Sequence, residues 1–249
     1  MRRLMLTLDT PAANLALDEA LLEAAEVEGP AAEVLRLWES PRTVVVLGRS
    51  SRVDQEVDEA ACAARDVPIL RRSSGGAAIV AGPGCLMYAV VLSYDRRPGA
   101  RGILPSHAYV LDRLAGALRS HVGTVERAGT SDLVLVEGGG AAAARKFSGN
   151  SLRVKRTHFL YHGTLLYDFD LALIATCLRS PPRQPQYRLA RRHDDFVVNL
   201  PVSRPTLEAA LMAAWPTEGE LADWSQARVS ELVRERYGQE KWNLSYGRE

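Results

Sequence analysis

Arg145-Lys146-Phe147-Ser148-Gly149-Asn150 is followed, one short hairpin later, by His162-Gly163-Thr164-Leu165-Leu166. Strand-like runs cover Phe147 to Leu152 and Leu160 to Leu166, and the connection between them is too short for a helical crossover, so the two strands must pair antiparallel. Outward from this hairpin, apolar and alternating runs predict strands at Leu35 to Trp38, Thr43 to Leu47, Val67 to Arg71, Leu86 to Ser93 and Leu133 to Val136. Helical periodicity marks Pro11 to Glu26, Glu56 to Arg65, Ser106 to His121, Leu171 to Leu178, Leu207 to Trp215 and Ser225 to Tyr237. Hairpins without intervening helices predict an α+β fold, a mainly antiparallel sheet flanked by helices, in a single domain over residues 1–249. Glu137-Gly138-Gly139-Gly140-Ala141-Ala142 reads as a mobile loop leading into Lys146, and the tract Arg179 to Asp195 as a second flexible stretch.

Composition narrows the function classes. A chain of 249 residues that is 47% hydrophobic can bury one substantial core, and a formal net charge of +1 points to neither a nucleic-acid nor a membrane-surface partner. The N-terminal region carries Asp9, Asp18 and Glu19, and no apolar run approaches spanning length, so neither a signal peptide nor a transmembrane helix is expected. Cys62, Cys85 and Cys177 are an odd, scattered set without CxxC spacing, which points to a reducing cytoplasm and away from structural zinc. His107, His121, His158 and His193 lack metal-ligand partners at useful spacing and read as structural or surface residues.

Among 31 basic residues the only lysines are Lys146, Lys155 and Lys241. Lysine is a compact point charge on a flexible stem, whereas arginine is a broad planar fork, so a narrow polar pocket that needs one cation does not accept the exchange. Lys155 and Lys241 sit among polar neighbours and read as solvated side chains; Lys146 sits in the hairpin that organises the sheet. Upstream, Leu70-Arg71-Arg72-Ser73-Ser74-Gly75-Gly76-Ala77 ends a strand in two arginines and a glycine pair. Such a turn can bring backbone N–H groups against an anion, and arginines add bidentate donors for phosphate or carboxylate.

Taken in order, Arg71-Arg72-x-Ser74-Gly75-Gly76, Ser131-Asp132-Leu133, Lys146-Phe147-Ser148-Gly149-Asn150 and His162-Gly163-Thr164-Leu165-Leu166 resemble the catalytic domain of lipoate–protein ligases. Asn14 to Leu22 is similar to that family's first helix, Leu35 to Arg49 to its first hairpin, and Trp242-Asn243 to the close of its catalytic domain. The Arg-Arg-x-Ser-Gly-Gly and His-Gly-Thr-Leu-Leu pattern fits this branch better than the biotin–protein ligases on the same fold. The resemblance implies a fold of the class II aminoacyl-tRNA synthetase and biotin synthetase type, and a catalytic domain without the C-terminal accessory domain of many bacterial ligases. It implies ATP-dependent activation of lipoate or octanoate to an acyl-adenylate, then transfer to a lysine of a lipoyl carrier protein, with the accessory domain either supplied by a separate small protein or not needed. Lys146 is the expected catalytic cation. Arg71, Arg72, Ser74, Gly75, Gly76 and Ala77 would border acyl chain and adenylate, Asp132 would contact adenine or a Mg²⁺ ion not otherwise fixed by protein, and Ser148, Gly149, His162, Gly163 and Thr164 would shape the pocket floor. The chain departs from the family where a third glycine, His-Asp and Gly-Asn are usual: it reads Ala77, Ala81-Gly82 and Gly84-Cys85, near the expected nucleotide.

Two rival readings keep the fold. Related octanoyl and lipoyl transferases use a cysteine thioester and no ATP, with Cys177 as the candidate nucleophile here. A non-catalytic binding module is the other. Singly, the motif residues also have plainer readings: Asp132 as a strand start, His162 as a satisfied core histidine, Ser148-Gly149 as a bulge.

Overall fold

The computed structural model describes residues 1–138, 144–180 and 184–245. Among the described residues ten strands form in chain order: β1 (Arg2–Met5), β2 (Val34–Glu39), β3 (Val44–Leu47), β4 (Ile69–Arg71), β5 (Ile79–Ala81), β6 (Cys85–Ser93), β7 (Val125–Ala128), β8 (Asp132–Val136), β9 (Ala144–Val154) and β10 (His158–Leu166). The helices are α1 (Pro11–Glu28), α2 (Val53–Glu56), α3 (Glu59–Ala63), α4 (Ile103–Val122), α5 (Ala172–Cys177), α6 (His193–Phe196), α7 (Arg204–Ala214), α8 (Gln226–Leu232) and α9 (Glu240–Asn243). The sheet order is β1-β2-β6-β10-β9-β8-β7, with a smaller sheet β4-β3-β5. Apart from the parallel pairs β1–β2 and β3–β4, the ladders are antiparallel, as the central hairpin requires.

The large sheet is buried on both faces because its central strands are apolar throughout. In β6, Leu86, Tyr88, Val90 and Leu92 point into one cluster with α4 and α7, while Cys85, Met87, Ala89 and Val91 point into another with α1, the small sheet and α5. Helix α1 begins where Thr10 accepts a hydrogen bond from the Ala13 N–H and Pro11 occupies the first turn; Gly29, at φ +93°, ends it.

Three differences from the sequence expectations have local causes. The helix expected over Glu56 to Arg65 breaks into α2 and α3, because Asp58 caps the second piece through Ala61 N–H and Val57 is extended to pair with Leu178. Strands β1, β5 and β7 are short and were not expected. The loop expected to be mobile lies, from Gly139 to Ala142, outside the described residues. So do Pro181, Pro182 and Arg183 of the stretch expected to be flexible; its described remainder instead contains a turn at Gln186–Arg188 and α6, with Arg188 buried under the Phe196 ring at 4.7 Å.

Candidate active site

On β9, Val134 pairs with Lys146 and Leu133 with Ser148, so Phe147 is an extra residue, a bulge one position earlier than Ser148-Gly149. The bulge reverses the alternation. Phe147 turns into the α4–α7 core, and Lys146 reaches the same face as Gly149 and Ser151. The Lys146 Nζ lies 2.8 Å from Asp132 Oδ1, and a methyl at Gly149 would stand 3.0 Å from it. The Tyr187 hydroxyl donates to the other Asp132 oxygen at 2.7 Å; burial, then Asp132, pushes that phenol's pKa up, so it stays a donor. The ammonium is held by one carboxylate and is partly open to the space beyond.

That space is a cavity of about 400 Å³. Gly76 to Val80 wall one side, Lys146 to Ser151 and His162 to Thr164 the other, Leu15 and Met87 lie below, and Ile174, Leu178, Arg188 and Phe196 close the rim. Most of the exposed lining surface is apolar, and charged side chains including Glu56, Arg72, Asp132, Lys146 and Arg188 are set into it, a slot suited to an extended apolar ligand with a polar head. Glu56, on α2, fixes the glycine turn by accepting from Ala78 N–H at 2.6 Å.

The two arginines before the turn are not presented to the cavity as paired anion donors. Arg71 is fully buried and lies outside the lining, donating to the carbonyls of Gly48, Arg49 and Ser51 and to those of Trp242 and Asn243. Arg72 borders the cavity, but its guanidinium is bonded to the carbonyls of Val46, Gly75 and Ala77 and to Ser74 Oγ. Burial lowers its pKa to about 10. These fork-shaped donors hold the turn by its backbone, a task that a single ammonium does not perform. Gly76 needs its φ of +84°, and a side chain there would meet the Arg72 guanidinium at 2.9 Å.

Ser74 and His162 meet: Ser74 Oγ lies 2.6 Å from His162 Nε2, and His162 Nδ1 lies 3.3 Å from Asp18 Oδ2. Asp18 Oδ1 in turn takes Arg36 NH1 at 2.5 Å. Thr164 exchanges hydrogen bonds with the Gly149 backbone, and Gly163 leaves room for the Asn150 carboxamide, 1.9 Å from where its Cβ would be. Asn150 is bonded to Tyr88, Ser148 and Ser131 and so locks β9 against β8 and β6. Ser148 faces that network. Ala77 and Gly75 contribute carbonyls, Gly75 to Ser151 Oγ at 2.8 Å.

The cysteines stand apart. Cys177 is fully buried with Cys62 beside it, and burial and Cys177 push the Cys62 thiol up to about 12. Cys85 is buried on β6, where burial raises its pKa well above the usual thiol range. None of the three lines the cavity. His193, expected to be structural or at the surface, does line it. Sequence reasoning missed Tyr187, Asn150's network and the Arg36–Asp18 pair as parts of the site. Arg36 carried a signal: a charge in the middle of the apolar strand Val34–Glu39 requires a buried partner.

A glycine-pair turn facing a single ammonium across an apolar slot belongs to an enzyme of the lipoate ligase and octanoyltransferase kind. The chain is a member of the lipoyl protein ligase A/B catalytic domain family, whose model matches residues 10–209. It is similar to the octanoyltransferase LipM of Kyrpidia tusciae, 28% identical over 92% of this chain and 93% of that one. Its fold is that of a bi-partite lipoate protein ligase from Thermoplasma acidophilum, TM-score 0.82 and 20% identity over 100% and 97% of the two chains. A lipoate-protein ligase A structure bound with ATP gives TM-score 0.76 and 21% identity over 98% of each chain. These likenesses establish the class II synthetase-like fold expected from the motifs. Among the described residues, no helix is long and apolar enough to cross a membrane.

Proposed function

We propose that the protein is an ATP-dependent lipoate–protein ligase that converts lipoate or octanoate to an acyl-adenylate and transfers the acyl group to a lysine of a lipoyl carrier domain. One observation carries this reading: the Lys146 ammonium stands on the wall of a cavity whose described lining holds no thiol. In the first step an acyl carboxylate oxygen bonds to the α-phosphorus and pyrophosphate leaves. In the second the carrier amine bonds to the acyl carbon, AMP leaves, and the amine's proton is lost to solvent. Negative charge gathers first on α-phosphate oxygens and then on the acyl carbonyl, at one place, so one positioned ammonium assists both steps. To do so Lys146 exchanges Asp132 for substrate oxygens, while Tyr187 keeps the released carboxylate hydrogen-bonded.

Asp132 already has partners on both oxygens, and among the described residues no group of three or more His, Cys, Asp or Glu is placed to hold a metal. Magnesium would therefore travel with the nucleotide, bound by phosphate and water. The bi-partite character of the T. acidophilum ligase supports a separate accessory domain as partner. Three buried free thiols suit a reducing compartment, the cytoplasm.

The 28% identity to an octanoyltransferase across nearly the whole chain favours a second reading, thioester transfer through Cys177 without ATP. Pyrophosphate–ATP exchange decides between them. The ligase gives lipoate- or octanoate-dependent exchange, alone or with an accessory protein, and keeps it when Cys62, Cys85 and Cys177 are all changed to Ser. No exchange under either condition, with carrier-to-carrier transfer abolished by Cys177→Ser, establishes the transferase.

A further inference from the structure

A chain of hydrogen bonds runs from Arg36 through Asp18, His162 and Ser74 to Arg72, and nothing in the two-step reaction above uses it. Every link is buried, and it joins four elements: β2, α1, β10 and the glycine turn. Its direction is fixed by chemistry. Arg36 donates to Asp18; a carboxylate can only accept, so His162 Nδ1 carries the hydrogen that points at Asp18 Oδ2. His162 Nε2 is then an acceptor, and the Ser74 hydroxyl donates to it at 2.6 Å. That leaves the Ser74 oxygen free to accept Arg72 Nε–H at 3.1 Å, and the same guanidinium grips the Gly75 and Ala77 carbonyls of the turn.

With His162 neutral, each step from Asp18 through His162 and Ser74 to Arg72 has one donor hydrogen and one acceptor. A proton on Nε2 destroys that order: His162 and Arg72 would both direct N–H groups at one hydroxyl oxygen, and the Ser74 hydrogen would lose its acceptor. The charged groups around His162 are Asp18 on α1, Arg36 on β2 behind it, and Arg72 before the turn with Glu56 of α2 acting on it. Its sheet neighbours in register, Ala89 on β6 and Ser151 on β9, are uncharged. A cationic imidazole would therefore gain Asp18, already shared with Arg36, and face Arg72 across one serine.

We propose that His162 is a positioning residue: its neutral Nδ1–H form sets Ser74 and Arg72, and through them the glycine turn that walls the acyl cavity, and protonation at Nε2 releases that turn. The inference rests on the reading of the cavity as an acyl site; its core is the tautomer, which can be observed without substrate.

Nitrogen-15 NMR of the full chain labelled at histidine, with the His162 signals assigned by their loss in His162→Gln, reports which ring nitrogen bears hydrogen. The expected result is a protonated Nδ1 and a bare Nε2 at mildly alkaline pH. An Nε2–H tautomer overturns the proposal. Octanoate binding by calorimetry then tests the consequence. Wild-type Kd should rise as pH falls, whereas His162→Gln should bind roughly tenfold to a hundredfold more weakly, the scale of one buried polar group left unpaired, with little pH dependence. A pH dependence identical in both proteins also overturns it. If wild type binds no octanoate at any pH, the acyl reading fails, and the tautomer measurement still decides the relay.

Discussion

The glycine turn and the β9 bulge each place basic side chains at or just behind the cavity wall, and they use them in opposite ways. At the turn, Arg71 and Arg72 are engaged with backbone carbonyls, several to each guanidinium. At the bulge, Lys146 has a single carboxylate partner and an open side. A cation surrounded by fixed carbonyls belongs to the fold, because a ligand would have to displace all of them together. One held by a single carboxylate can change partners, and so can serve a reaction. The number of fixed acceptors, more than the charge itself, separates the two roles.

The sharpest way to break this contrast is to remove a cation assigned to the fold. Arg36→Ala leaves the buried Asp18 charge without its cation, and the loss of stability should be about 3–5 kcal/mol, read as the shift in urea midpoint. A normal midpoint would mean that the buried pair does not hold α1 against β2. Lys146→Ala should do the reverse, lowering pyrophosphate exchange by about two to three orders of magnitude while the melting temperature stays near wild type; Lys146→Arg should fall as far. Turnover at the wild-type rate in Lys146→Ala would remove the catalytic role proposed for the ammonium. Gly149→Ala pushes the ammonium without deleting it, since its methyl would stand 3.0 Å from Nζ, and a roughly tenfold fall in exchange with unchanged folding is expected.

The smallest effect concerns His107, whose Nδ1 lies 2.8 Å from the Tyr161 hydroxyl. Burial lowers its pKa, and Asp132 opposes this only in part. Below the unfolded value of about 6.5, the unfolded chain takes up a proton that the folded one refuses, so stability falls as pH drops through that value and levels off beneath the folded one. The urea midpoint should decline as pH falls below about 7, and the decline should be shallower in His107→Gln.

Much of the frame was legible from pattern. The central hairpin, β6 and the long helices α1 and α4 have periods that no tertiary contact needs to correct. Strand β1 was not, because a four-residue edge strand is specified by the partner it lies beside, Val34 to Leu37, and not by its own sequence. The site divides in the same manner. Lys146 stood out through composition and His162 through its motif, but the destination of Arg71 depends on carbonyls contributed by residues 48 to 51 and 242 to 243, and a local pattern cannot report such distant acceptors. Tyr187 lay in a stretch that reads as loop, and only its approach to Asp132 gives it meaning.

The extra residue at Phe147 acts like a reading frame for the site. Loops on either side of β9 can lengthen or shorten without changing which way Lys146 points, whereas one residue inserted between Lys146 and Phe147 would move Lys146 opposite Leu135 and send the ammonium into the α4–α7 core. Descendants of this chain should therefore tolerate insertions between β8 and β9 far more readily than one inside Lys146–Ser148.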